Sequence, residues 1–192
     1  MITVEANRTA LLVMDLQSDI VGRFADKAAP AIERAVGVVA AARQAKLPVI
    51  YVVVGFRSGY PELSARNPSY AAISQSGRFV ATPGADIAPA LRPAEGEIVV
   101  VKHRVGAFAG TDLEMILRAK GIDSLILLGI ATSGVILSTV RYGADADYKL
   151  VVVQDCCVDA DDEVHRVLTE KILVRQATVV SAAEMVAALE KI

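Results

Sequence analysis

Short runs of consecutive apolar residues alternate along this chain with stretches whose apolar residues recur every three or four positions. The runs are Ala10–Met14, Val49–Val54, Ile98–Val101, Ser124–Leu128, Leu150–Val153 and Ala177–Val180. They lack alternation with polar residues, which is the pattern of strands covered on both faces, as in a parallel sheet. The intervening stretches, Pro30–Lys46, Thr111–Lys120, Thr132–Ala146, Glu163–Val174 and Ala182–Lys191, have helical spacing. Pro30 suits the first turn of the first helix, Thr111 the N-cap of the second, and Gly121 its stop. Six strands alternating with helices predict an α/β fold: a three-layer α/β/α sandwich around a six-stranded parallel sheet.

Residues 1–192 read as one domain with one interruption. Gly55–Gly84 shows no strand or helix repeat, is rich in Gly, Pro, Ser and Asn, and carries Arg57, Tyr60, Arg66, Tyr70 and Arg78. An irregular stretch this long in a compact domain is usually functional or disordered. Its aromatic and arginine content favours an ordered lid or a subunit contact.

Composition narrows the picture. The 192 residues suffice for a sizeable core, and the 54% hydrophobic content is high enough to expect buried subunit surface, hence a homodimer or homotetramer. A net charge of −2 and the absence of Trp give no reason to expect nucleic acid or an anionic membrane as partner. No apolar run reaches the ~18 residues of a membrane helix. The opening MITVEANRTALLVMD lacks the basic-then-apolar order of a signal peptide. Adjacent Cys156 and Cys157 fit reduced thiols better than a strained vicinal disulfide, so the expected compartment is cytoplasmic.

Right-handed crossovers place every strand's C-terminal end on one edge of such a sheet, where ligands bind. Asp15, Lys102 and the turn Ala131-Thr132-Ser133-Gly134-Val135 all fall there. A carboxylate and an ammonium at buried strand ends call for each other. They fit either an ion pair sealing the sheet or a proton-transfer pair, with Asp15 as acid or base and Lys102 tuning its pKa. The helix beginning near Thr132 would offer N–H groups and its dipole to an anion. No G-x-G-x-x-G follows the first strand and no P-loop is present, so no nucleotide cofactor is expected. With only His103 and His165, a His-rich metal site cannot be assembled, and no metal is expected.

Three separated blocks, from about Asn7 to Met185, carry a resemblance. The first is Asp15-Leu16-Gln17 after an apolar strand. The second is Lys102, followed by Ala107-Phe108 and Gly110-Thr111-x-Leu113. The third is LLGIATSGVILST, followed by Tyr148, Asp155, Cys157 and His165. Together they resemble the isochorismatase-like, or cysteine hydrolase, family, with Gly106 departing from a common Ser. The resemblance implies a Rossmann-like isochorismatase-like hydrolase fold, in which an Asp, a Lys and a Cys meet at the ends of three neighbouring strands. It assigns catalysis to Asp15 and Lys102. It assigns a substrate pocket or oxyanion hole to Gln17, Phe108, Ile130, Ala131, Ser133, Gly134 and Val135, and implies a cis peptide between Ile130 and Ala131. The position matching the Cys is Val135, whose isopropyl group does no chemistry. Ser133 fits a helix cap, and Cys157 a packing thiol. The chain also lacks, after the second strand, the Asp-x-His of the zinc-binding nicotinamidase branch. Three readings follow: a hydrolase of a small polar metabolite, of vinyl ether or amide type, working by Asp/Lys acid–base chemistry without a Cys nucleophile; a non-catalytic small-molecule-binding pseudoenzyme; or an amidase dependent on Cys157.

Overall fold

The computed structural model describes residues 3–80 and 86–192; Gly84, the end assigned above to the irregular stretch, lies outside them. Strands β1 (Thr9–Met14), β2 (Val49–Val54), β3 (Ile98–Lys102), β4 (Ser124–Ile130), β5 (Lys149–Val158) and β6 (Thr178–Val180) form one parallel sheet in the order β3-β2-β1-β4-β5-β6. The helices are α1 (Ser18–Val21), α2 (Ala25–Gln44), α3 (Pro68–Ser76), α4 (Leu113–Ala119), α5 (Leu137–Asp145), α6 (Asp162–Val167) and α7 (Ala182–Leu189).

The unbroken apolar runs follow from burial on both faces. Leu11 and Val13 of β1 pack in one core with Ala35, Val38 and Ala42 of α2 and Met185 of α7. Ala10, Leu12 and Met14 pack in a second core with Leu113 and Leu117 of α4 and Val140 of α5. Every residue of β1 and β2 is buried, so neither strand has a polar side to reveal its period. No helix among the described residues is long and apolar enough to cross a membrane.

The structure departs from the sequence expectations in particular places. The first long helix begins at Ala25, so Pro30 lies inside it. Pro30 is exposed, where the backbone carbonyl its missing N–H leaves unbonded can be hydrated. Thr111 is not the N-cap of α4, which is Asp112; its hydroxyl donates to Ala107 O at 2.7 Å instead. The helix expected over Thr132–Ala146 is a wide π-type turn, Thr132–Ile136, running into α5. Likewise Glu163–Val174 resolves into α6, a π-type turn Leu168–Ile172 and a 3-10 turn Leu173–Arg175. Strand β5 continues past its apolar run through Gln154 and Asp155, because its register against β4 shifts between Leu127 and Gly129. The stretch after Gly55 holds a helix, α3, too weakly amphipathic to show in the pattern. It is anchored by Phe56 and Tyr70, whose rings meet edge to face at 6.1 Å.

Candidate active site

The sheet order reverses direction between β1 and β4, and the crevice beyond the strand ends at such a switch point is where ligands bind in open α/β sheets. Asp15 follows β1 and Lys102 closes β3, but these strands are not neighbours. Strand β2 lies between them, with Val54 paired to Lys102. The lysine spans that gap because its stem is long: its Nζ lies 2.9 Å from Asp15 Oδ2 and also donates to Arg104 O at 3.0 Å. Both side chains are buried. The backbone of Asp15 turns into the left-handed region, φ 56°, and its N–H donates to Val52 O at 2.8 Å. Asp15 Oδ1 has no hydrogen-bond partner among the described residues. Burial raises the Asp15 carboxyl above its ordinary value, and the charge and hydrogen bond of Lys102 oppose that rise without reversing it.

On the β4 side, Gly129 has φ +143°, and a Cβ there would sit 2.0 Å from Met14 O. Only glycine lets β4 lie this close to the end of β1. The Ile130–Ala131 peptide is cis, and the chain then enters the π-type turn with Gly134 at φ −96°, ψ −105°. Three N–H groups of this turn are already engaged. Ser133 N–H donates to Asp159 Oδ2 at 2.7 Å, and Ala131 O accepts from Gly134 N–H at 3.1 Å and Ile136 N–H at 3.3 Å. Thr132 Oγ1 is 2.8 Å from His165 Nδ1. The N–H groups of Ser133 and Gly134 are thus spent inside the protein and not free for an oxyanion.

Asp15, Lys102, Ile130, Ala131, Gly134 and Val135 line one cavity of about 340 Å³. Three residues grouped with them from the sequence do not. Gln17 is buried, its side chain donating to Val54 O (3.0 Å) and Asp86 Oδ2 (2.8 Å) and accepting from Val54 N–H (2.8 Å), so it clasps the end of β2. Phe108 stacks on Tyr142 at 4.5 Å between the rings, in the core under α4 and α5. Ser133 is exposed and does not cap the turn, whose N-cap is Ala131; only its backbone N–H is held, by Asp159 Oδ2.

The remaining walls come from segments without periodicity: Arg23 and Phe24 before α2, Tyr70 and Ile73 on α3, Arg78 and Phe79 after it, and Arg104 after β3. Of these, the sequence singled out Tyr70 and Arg78; nothing in the pattern marked Arg23 or Arg104. Among the described residues, the cavity is therefore lined by one carboxyl group, one lysine and three arginines. A larger depression of about 580 Å³ lies at the N-terminal ends of β4, β5 and β6, beside Tyr148, Lys149 and Arg175. That is the edge of a parallel sheet where ligands are not expected.

Cys157 is outside the cavity. It is buried, its Sγ is 3.3 Å from Val153 O, and burial pushes its pKa up to about 12. Burial also raises the Cys156 thiol, and both cysteines are free. His103 Nδ1 lies 2.6 Å from Gly55 O. Asp155 accepts from Ala182 N–H at 2.7 Å and so holds the start of α7. Among the described residues no group of three His, Cys, Asp or Glu side chains is placed to hold a metal ion.

The isochorismatase domain matches residues 9–184. The chain belongs to the isochorismatase family. It is 34% identical to an uncharacterized isochorismatase family protein, YecD, of Escherichia coli O157:H7, over 98% of this chain and all of that one. It is 31% identical to the ureidoacrylate amidohydrolase RutB of Acinetobacter baylyi, over 86% of this chain and 77% of that one. A cysteine hydrolase from Pseudomonas syringae pv. phaseolicola shares the fold, with a TM-score of 0.87 over 100% of this chain and 96% of that one at 24% identity. The isochorismatase family to which the chain belongs is one of hydrolases on this α/β architecture.

Proposed function

We propose that this isochorismatase-family hydrolase cleaves a small molecule by acid–base chemistry, with Asp15 as proton donor and no cysteine nucleophile. The observation that carries this is the buried Asp15–Lys102 pair. One carboxyl oxygen is held at 2.9 Å by the ammonium, the other is unpartnered, and the carboxyl pKa is raised. A raised pKa keeps the acid form to higher pH than an ordinary carboxyl, which suits a group that must give a proton. On a vinyl ether, Asp15 would protonate the terminal vinyl carbon, water would add to the resulting oxocarbenium carbon, and the hemiketal would collapse to an alcohol and a carbonyl compound. Lys102 would stabilise the carboxylate that Asp15 becomes.

Val135 stands in this proposal where cysteine hydrolases carry their nucleophile. It lines the cavity and is buried, and it offers an apolar surface there. Cys157 is poorly suited to replace it, since a buried thiol with a pKa near 12 yields almost no thiolate. The amidohydrolase named among the relatives keeps amides in the assay panel. The test is hydrolysis of small vinyl ethers and amides by the wild type, Asp15→Asn and Cys157→Ala, in H₂O and D₂O. The proposal expects loss in Asp15→Asn, retention in Cys157→Ala, and deuterium from solvent on the former vinyl carbon. Amide turnover that disappears in a folded Cys157→Ala variant would replace it with the thiol mechanism.

A further inference from the structure

Three buried side-chain oxygen atoms among the described residues have no hydrogen-bond partner: Thr9 Oγ1, Asp15 Oδ1 and the Tyr70 hydroxyl. Thr9 begins β1, at the opposite end of the strand from Asp15 and the cavity. The other two belong to residues lining the same cavity. A buried hydroxyl left unpaired is unfavourable, and native proteins rarely keep one without a use. Tyr70 is 5% exposed and lies on α3, in the stretch that breaks the chain's periodicity. Its ring is fixed edge to face against Phe56, and the guanidinium of Arg104 stands 5.9 Å from its centroid. The phenol is therefore held at the cavity wall by its ring, while its polar end is unspent.

The neighbouring charges indicate what the hydroxyl would meet. Arg104 donates to the carbonyls of Glu62 (3.2 Å) and His103 (2.6 Å), and Arg78 to Ser76 Oγ (3.0 Å). Neither they nor Arg23 pairs with a carboxylate among the described residues. With Lys102 already committed to Asp15, three cationic forks face a cavity without counter-charge of their own. Guanidinium forks match carboxylate geometry, and a hydroxyl beside them completes such a site as a donor.

We propose that Tyr70 contacts substrate directly, its hydroxyl donating to a carboxylate oxygen of a small anion whose charge is met by Arg104 and Arg78. Tyr70 is then a specificity-determining residue, and α3 is the wall that selects a carboxylate while the apolar side chains of Ile73, Phe79 and Val105 accept the body of the molecule. This assignment rests on reading the cavity as the reaction site.

The test uses benzoate and benzamide, which share one flat body and differ in charge, titrated calorimetrically into the full-length protein. Benzoate should bind the wild type at least about tenfold more tightly than benzamide, the factor expected for a charge-assisted hydrogen bond. Tyr70→Phe should weaken benzoate roughly tenfold and leave benzamide nearly unchanged, while raising the melting temperature of the ligand-free protein because an unpaired buried hydroxyl is gone. Arg104→Gln should weaken benzoate in the same sense. Absence of benzoate binding, equal binding of the two probes, or unaltered benzoate binding by Tyr70→Phe would each overturn the proposal. A lowered melting temperature in Tyr70→Phe would do so too, since the hydroxyl would then be serving the fold. Asp15→Asn separates this from the proposed reaction: it should lose turnover and keep benzoate binding. Retained turnover in that variant would discard the acid–base reading and leave the Tyr70 result standing.

Discussion

Replacing Asp15 by Asn changes the charge and proton of the buried pair while leaving the side chain's size almost unaltered. At 2.9 Å and an effective dielectric of ~20, a charged Asp15 and Lys102 attract by about 6 kcal/mol. Removing two such ions from water costs several kcal/mol each, so the two effects are of the same size. Here burial prevails, and the Asp15 carboxyl is raised above its ordinary value of 3.8. The native state then binds a proton more tightly than the unfolded chain does. The stability this contributes is fully present below the ordinary carboxyl range and is lost as pH rises through the folded-state pKa. Asparagine keeps the shape of the neutral acid and does not titrate. Urea denaturation across a pH series should therefore show the wild type's advantage over Asp15→Asn shrinking as pH rises above about 3.8. Where Asp15 is protonated, the variant should cost only about 1 kcal/mol or less. Its turnover should fall by about 10²–10⁴, the usual contribution of a general acid. A variant less stable by ~3–5 kcal/mol, with the gap widening as pH rises, would show an ionised carboxylate paired with Lys102. Asp15 would then not be the proton donor.

Cys157→Ala should retain activity and lose about 1 kcal/mol of stability, and iodoacetamide should label Cys156 and Cys157 slowly in the native wild type, both thiols being buried with raised pKa values. Val135→Cys should place a thiol at the cavity, near Lys102, at a cost of roughly 1 kcal/mol; peptide mapping should find position 135 labelled faster than either native cysteine, and slower labelling in a folded variant would mean a closed or unpolarised cavity. Gly129→Ala should fail to fold or lose more than about 4 kcal/mol, because its Cβ would lie 2.0 Å from Met14 O at a φ of +143° that alanine avoids; wild-type-like unfolding by circular dichroism would contradict the close β1–β4 approach.

The sequence by itself determined the sheet and marked the two charged residues, Asp15 and Lys102, that the fold brings together at the cavity. Strands buried on both faces must be apolar throughout, so β1, β2 and the start of β4 announce themselves in Ala10–Met14, Val49–Val54 and Ser124–Leu128. A charged residue ending such a run is conspicuous because it interrupts an otherwise continuous apolar signal, and this made Asp15 and Lys102 legible before any fold was known. What the one-dimensional pattern does not carry is which side-chain atoms remain unpaired once the chain closes. Gln17 looked like a pocket residue and is consumed by Val54 and Asp86, a residue far along the chain. Ser133 and Gly134 lie in the turn after β4, yet their N–H groups are used by Asp159 and Ala131. Arg23, Tyr70, Arg78 and Arg104 come from segments with no repeating period, where hydrophobic patterning has nothing to report, and only the packing of α3 and the loops over the strand ends brings them to one cavity. Lys102 reaching Asp15 across β2 is likewise a product of strand order, since hydrogen bonding between strands distant in sequence, rather than any local preference, decides which strand ends stand near one another.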